Sequence, residues 1–522
     1  MKKLKYLVWV VILLVLSSYN IEAKVSNKDS ENFANVVIFG YFSGNESTID
    51  RQYLIDNSEK LINLYNGTNG RSVTNYLKTI SYGKFNIKNI FPQYNGKNIE
   101  PLEIHCNKND AYVSNIDGCI IDSVIDNIPD IKNQIIDYDN DGYIDNLTII
   151  LKGGSPDVPS GSTFVSHKSD FFENDVWSSK MIGTYNMLNT YSIIGTNFSS
   201  ESGVIVHEFL HSLGYPDLYR SGSDSDLPVF TWDIMASANS YMPYPLAYLR
   251  YKFTNWIDID TIMKNGTYTL NEQSNANGNQ AYIIKSPLND YELFVVEFRK
   301  KPVSVIGDND TLDRGIGGSG IIVYRINTTV TGLNNNFGST GVYVFRPNDK
   351  TYETENIINA YLSLESGRTT IGNSNIDDTN NALTFSDGTN SGIVISNISS
   401  SSGDSMTFDV TIPDRGSMDL WNSTNYIDNT GNTASKTFDI IDYNNNLYMV
   451  SIANKKISTS VYDGNSWNYV NEMTLTDDAI NIKLIKKNNN LYLIYSGWGF
   501  IKVNKYTSNG WDMINNIIDT NI

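Results

Sequence analysis

Two cysteines in 522 residues are too few to frame a fold, so this is not a disulfide-stapled chain. Basic residues are also short: 39 Lys and Arg stand against 57 Asp and Glu, a formal charge of -18. That balance argues against binding a nucleic-acid backbone, which calls for basic patches, and it is compatible with bound cations such as calcium. Only four histidines occur. Beyond the N-terminus no apolar segment is long enough to cross about 30 Å of hydrocarbon, which argues against a chain threaded through a bilayer.

What is there begins with an address. Lys2, Lys3 and Lys5 precede an apolar run from Leu7 to Leu16, and Ser17, Ser18 and Ile21-Glu22-Ala23 follow. This is the layout of a secretory signal peptide, with cleavage expected after Ala23. The run is too short for an anchor and no cysteine lies near the cut. The expected mature form is therefore secreted, extracellular and without a membrane anchor, and residues 24–35 are a short leader. In that compartment Cys106 and Cys119 either pair as a small local disulfide or stay as two thiols.

The length predicts roughly three domains. Residues 36–260 mix buried-strand runs, such as 35–40 and 147–151, with helical spacing over 49–65 and 72–80, an α+β pattern. Over 261–413 helical spacing nearly vanishes, and alternating segments such as 281–284 and 293–298 predict a β-sandwich-like region. Over 414–522 the chain repeats itself. Asn444-Asn445-Asn446-Leu447-Tyr448 returns forty-four positions later as Asn488-Asn489-Asn490-Leu491-Tyr492, Asn465-Ser466-Trp467 returns as Asn509-Gly510-Trp511, and Trp421 marks a weaker copy. That period, with one Trp per unit, predicts propeller-blade-like β units, too few to close a ring. A cell-surface protein or glycan is the expected ligand for such a module.

The strongest signal is Val204-Ile205-Val206-His207-Glu208-Phe209-Leu210-His211-Ser212-Leu213-Gly214. On a helix, His207 and His211 project from one face, as a metal requires when two nitrogens must sit about 2 Å from one ion. Val206, Leu210 and Leu213 fall on a neighbouring face suited to the core. Gly214 ends the helix and Pro216 prevents its continuation, and the resulting turn can return Asp217 as a third ligand. Glu208, next to the first histidine, is placed to act as general base on a zinc-activated water.

The run His207 to Tyr219 resembles the zinc motif of the immune inhibitor A-like (M6) family of secreted metallopeptidases, in which the third ligand is an Asp. Trp232-Asp233-Ile234-Met235 resembles that family's methionine turn, and Ser81 to Phe85, Ala247 to Trp256 and Glu297-Phe298-Arg299 resemble further family stretches. The resemblance extends over about residues 36–412 and not over the tandem repeats. It implies a metzincin-like zinc peptidase domain, Met235 beneath the metal, and proteins or peptides outside the cell as substrates.

Two further features carry chemistry. Asp137, Asp139, Asp141 and Asp145 stand at positions 1, 3, 5 and 9 of a loop with Gly142 at 6 and the Tyr143 carbonyl at 7, a hard-oxygen set for Ca²⁺. Position 12 is Thr148, so this is no EF-hand sensor. His167 follows a strand-like run and is the remaining candidate for stabilising the transition state, although a lone histidine is more often structural.

Overall fold

The computed structural model describes residues 32–413 and 437–518, apart from 107–115, 153–165, 171–175, 191–200, 221–225, 304–310, 336–338, 348–353, 373–381 and other gaps of at most three residues. The expected signal peptide, most of the leader and Trp421 lie outside the described residues. The chain divides into two compact units, Met1–Arg415 and Gly416–Ile522.

The first unit opens on β1 (Asn32–Phe42), eleven residues buried throughout after the first. A strand covered on both faces reads as a continuous apolar run and takes parallel neighbours. Parallel to it lie β2 (Asn86–Ile90), beside its first half, β3 (Leu102–Ile104), beside its end, and β4 (Leu147–Lys152) on the other side. The edge strand β5 (His167–Asp170) and a two-residue hairpin of β6 (Val176–Trp177) and β7 (Lys180–Met181) precede β8 (Thr184–Asn189). The sheet order is β2-β1-β4-β8-β5, parallel except for the antiparallel β5.

Three short helices, α1 (Ser47–Asp56), α2 (Ser58–Asn66) and α3 (Val73–Ile80), follow β1, and α4 (Ile116–Asn127) precedes β4. The single helix expected over 49–65 is broken at Asn57. There Ser58 Oγ bonds the Ile55 carbonyl at 2.7 Å and Asn57 Nδ2 the Tyr53 carbonyl at 2.8 Å, side chains competing with the backbone for the acceptors of the last turn. Ser72 caps α3 by accepting the Asn75 N–H.

After the helix α5 (Glu201–Ser212) and α6 (Ala247–Thr254) come two antiparallel-rich sheets. One is ordered β14-β13-β12-β11-β9, from β9 (Asp260–Ile262), β11 (Ala281–Lys285), β12 (Glu292–Arg299), β13 (Gly320–Asn327) and β14 (Val342–Val344). The other joins β10 (Gly266–Asn271), β16 (Ser405–Thr411) and β15 (Val394–Ser396). Phe294, Val296 and Val323 from the first pack with Leu270, Phe408 and Val410 from the second. The opposite face of the five-stranded sheet does not face water. Val295, Ile322 and Tyr324 share one core with Val37 and Phe39 of β1, Val206, Leu210 and Leu213 of α5, and Met235. One core therefore runs across position 260, and each such buried side chain is worth about 1.5–3 kcal/mol of burial.

The second unit is two four-stranded antiparallel meanders. The first is β17 (Thr437–Tyr443), β18 (Asn446–Ala453), β19 (Lys456–Tyr462) and β20 (Trp467–Thr474). The second is β21 (Ala479–Lys487), β22 (Asn490–Gly497), β23 (Phe500–Thr507) and β24 (Gly510–Ile518). The repeated asparagines have a backbone reason. Asn444 and Asn488 turn the first hairpin of each sheet at φ 52° and 49°, a left-handed conformation Asn tolerates well. Among the described residues no helix is long and apolar enough to cross a membrane.

Candidate metal centre

Helix α5 carries His207, Glu208 and His211 and ends where the spacing predicts. Gly214 takes φ 88°, its N–H reaches the His211 carbonyl at 2.9 Å, and the Tyr215 N–H reaches the Leu210 carbonyl at 3.1 Å. Asn186 of β8 holds the helix to the sheet, donating through Nδ2 to the Glu208 carbonyl at 2.8 Å and to Ser212 Oγ at 3.1 Å. The two imidazoles stand at 86° to each other with ring centres 4.7 Å apart.

Each ring is fixed through its Nδ1. His207 Nδ1 lies 3.1 Å from the Ile234 carbonyl and His211 Nδ1 lies 2.7 Å from the Tyr215 carbonyl. A carbonyl only accepts, so both Nδ1 atoms carry the proton and both neutral rings present an Nε2 lone pair. Those lone pairs meet Asp217 Oδ1 at 3.3 Å and 3.1 Å. Oδ1 is buried and has no hydrogen-bond donor among the described residues. Three acceptors thus converge within 4.8 Å, an arrangement that only positive charge relieves. The ionisation behaviour agrees. Burial opposes charge on His207, yet Asp217, Glu208 and the Ile234 carbonyl raise its pKa. Burial likewise opposes charge on Asp217, but once the histidines take up a proton, their hydrogen bonds and charge outweigh burial and hold the carboxyl well below its usual range, so the site draws positive charge. The donor set, two imidazoles and one carboxylate, suits a divalent transition metal such as zinc.

Met235 is fully buried, in the same core as α5. Its turn is tied down by Asp233, whose Oδ1 accepts the Met235 N–H at 2.7 Å and whose Oδ2 accepts the Leu246 N–H at 2.6 Å. The Met235 carbonyl accepts the Leu218 N–H at 3.0 Å, joining the turn to the segment that carries Asp217. Tyr219, not singled out from the sequence, stands at the same pocket. Its ring centre is 6.1 Å from that of His207, and burial together with the Asp217 and Glu208 charges pushes its phenol up to about 12. It is a half-exposed donor that stays protonated. The spacing Asp-x-Tyr was the only signal that could have pointed to it.

His167 lies on the edge strand, where its Nε2 is 2.9 Å from Asp117 Oδ2 of α4. Tyr185 donates to the same oxygen at 2.7 Å. Burial raises the Asp117 pKa, but the bonds to His167 and Tyr185 more than offset it, so the carboxyl is lowered overall. The structure thus commits His167 to a tie between β5 and α4. Cys106 and Cys119 are joined as a disulfide just outside β3 and within α4.

In the acidic loop, Asp137, Asp139 and Asp145 bring oxygens within 4.8 Å of one another, while Asp141 and Tyr143 are not in that group. Asp137 accepts the N–H groups of Asp141 at 3.2 Å and Gly142 at 3.1 Å, and Asp141 accepts that of Tyr143 at 2.9 Å. Lys180 Nζ pairs with Asp137 at 2.6 Å. Burial pushes Asp145 up to about 7 despite N–H donors from Ala34 and Tyr138.

No curated protein matches the chain. Residues 130–242 match the immune inhibitor A peptidase M6 catalytic domain, a narrower span than the resemblance over 36–412 and one that holds the acidic loop, the histidine helix, Asp217 and Met235. That match, laid on the site's geometry, supports an M6-type metallopeptidase domain within this chain, one whose substrates are proteins or peptides.

Proposed function

We propose that the protein is a secreted zinc endopeptidase that hydrolyses extracellular proteins, with His207, His211 and Asp217 as ligands and Glu208 as general base. The observation that carries this reading is the meeting of two Nδ1-locked imidazoles and an orphaned carboxylate oxygen at one point. A zinc ion bound there supplies a Lewis acid and makes water nucleophilic near neutral pH. The chain's own residues do the rest. Glu208 follows the first histidine on the helix, and its charge is felt by both His207 and Tyr219, so it faces the same pocket. It takes the proton of the attacking water and passes it to the leaving amine. Tyr219, a neutral phenol beside Asp217, is better placed than His167 to donate to the developing oxyanion, since His167 is bonded to Asp117. The antiparallel β5, outermost of the described strands in its sheet, offers an edge for an extended substrate by strand addition.

We further infer export, a bound calcium ion and a ligand for the repeats. Export follows from the basic start and short apolar run before Ala23. Calcium in the 137–145 loop follows from the convergence of Asp137, Asp139 and Asp145. A glycan or cell-surface protein as ligand of the repeats follows from two blade-like four-stranded meanders in tandem. The deciding experiment pairs Glu208→Ala with metal analysis and a mixed peptide-library digest. Zinc retained one-to-one with cleavage abolished is the expected result; cleavage persisting in the variant would remove Glu208 from the mechanism.

A further inference from the structure

We propose that Asn335, in the loop between the 3-10 turn Thr331–Leu333 and β14, is the positioning residue that sets Asp217 as third metal ligand. The inference rests on the zinc reading of the triad. The two histidines need no such help, because one helix sets their spacing and one carbonyl each sets their rings. Asp217 follows a turn at Gly214 and a proline, belongs to no helix or strand, and has only two side-chain torsions with which to correct its backbone.

Its backbone is placed from two sides. On one, the Leu218 N–H reaches the Met235 carbonyl at 3.0 Å. On the other is Asn335, fully buried and more than a hundred residues away. Its N–H donates to the Asp217 carbonyl at 2.8 Å, and its Nδ2 donates to the Leu218 carbonyl at 3.2 Å. The amide is itself immobilised. Nδ2 gives its second hydrogen to the Val342 carbonyl at 2.8 Å, and Oδ1 accepts the Val342 N–H at 3.0 Å. Every Nδ2 donor is used, and the side chain stitches Leu218 to the first residue of β14 as a strand would. Arg220 returns the grip, bonding the Asn335 carbonyl at 2.9 Å, the Ser339 carbonyl at 3.0 Å and Thr340 Oγ1 at 2.6 Å. Metal–ligand distances tolerate only about 0.2 Å of error, so whatever fixes the backbone at 217–218 fixes the third bond.

A purely structural stitch would cost stability and leave metal affinity alone, and zinc affinity separates the two. In the full chain, zinc dissociation constants are measured by competition with a chromogenic chelator for wild type, Asn335→Asp, Asp217→Ala, their double variant, and Ser286→Ala. Asn335→Asp keeps the size and the backbone N–H but removes both Nδ2 donors. Ser286 is a buried control whose Oγ bonds the Ser391 carbonyl at 2.6 Å. Asn335→Asp is expected to weaken zinc binding about 10- to 100-fold, the usual effect of losing an outer-shell partner. Added to Asp217→Ala it changes affinity by less than about twofold, and Ser286→Ala leaves affinity unchanged. Wild-type affinity in Asn335→Asp, or an equal loss with and without Asp217, overturns the proposal. Should Asn335→Asp not fold, Arg220→Met loosens the same loop from its exposed side. It is expected to weaken zinc in the same direction, again only when Asp217 is present, and unchanged affinity refutes the proposal. If wild type binds no stoichiometric zinc, or Asp217→Ala binds as tightly as wild type, the zinc reading has failed rather than the role of Asn335.

Discussion

Arg299 is a fully buried charge that bonds two carboxylates and the Trp232 carbonyl, and its removal makes a quantitative test of how the segment ahead of Met235 is held. It lies at the end of β12, wholly buried. Its Nε reaches Asp313 Oδ2 at 2.8 Å and its Nη2 bonds the other Asp313 oxygen. Its Nη1 reaches Glu297 Oε1 at 3.0 Å and the Trp232 carbonyl at 2.8 Å. Arg299→Met fills similar volume and leaves two buried carboxylates without their cation. Breaking a buried pair by removing one partner costs about 3–5 kcal/mol. Both carboxylates keep other donors, Glu297 the Ala247 N–H and Tyr324 hydroxyl, Asp313 the Tyr244 N–H, which favours the lower end. The Trp232 carbonyl loses its donor as well, adding about 1 kcal/mol. The assay is urea unfolding of wild type, Arg299→Met, and Arg299→Met combined with Glu297→Gln and Asp313→Asn. The single variant is expected to lose about 4 kcal/mol and the triple variant clearly less, because neutralising the carboxylates removes the uncompensated charge. A single variant within about 1 kcal/mol of wild type, or a triple variant as unstable as the single, would refute the reasoning.

Three more outcomes are expected. Burial pushes Asp233 up to about 7 against the pull of two N–H donors and Arg299. Its folded pKa lies above the unfolded one, so its stabilising contribution is full below about pH 4 and is lost as pH rises through about 7. The stability of wild type minus that of Asp233→Asn should fall between pH 5 and pH 8 in thermal melts; parallel curves would count against it. Calcium at millimolar concentration should raise the melting temperature by acting on the 137–145 loop, and Asp139→Asn should abolish the rise; identical shifts in both would show that calcium acts elsewhere. Replacing Cys106 and Cys119 by serine opens a loop of sequence separation 13 and should cost about 2–3 kcal/mol, read as a lowered urea midpoint. An unchanged midpoint would mean that the unfolded chain gains no freedom from the opening.

Much of the site was legible because its chemistry is local. Two histidines four apart need only a helix to share a face, and Gly214 and Pro216 announce where that helix stops. The tandem asparagines were legible for the same reason, as each marks a tight turn inside its own hairpin. Residues acting across long separations left no such mark. His167 answers to Asp117 on another element, and Trp232 Nε1 donates to the Ile357 carbonyl 125 residues on, at 2.6 Å. The break at Asn57 was invisible because Ser58 also accepts the Ile99 N–H, a contact that spacing within 49–65 cannot reveal.

The position at 260 shows what such distant contacts imply for catalysis. A composition shift there separates a mixed region from a β-rich one, and reading it as a domain boundary assigns the metal site wholly to the first. Yet the described parts of 217–235, which carry Asp217 and Met235, are bonded at several points by the second. Asn335 holds Asp217 and Leu218, Val344 N–H reaches the Pro228 carbonyl at 2.9 Å, and Arg346 reaches the carbonyls of Leu227 and Pro228. Ile357 and Arg299 then take the two polar ends of Trp232. Those described residues have little secondary structure of their own and gain their shape from these partners. Cutting the chain after residue 260 should therefore leave a fragment that retains the two helix-borne histidines but not the geometry that brings Asp217 to them, and its zinc affinity should fall to that of Asp217→Ala. A 32–260 fragment that binds zinc as the whole chain does would show that the third ligand is placed locally after all.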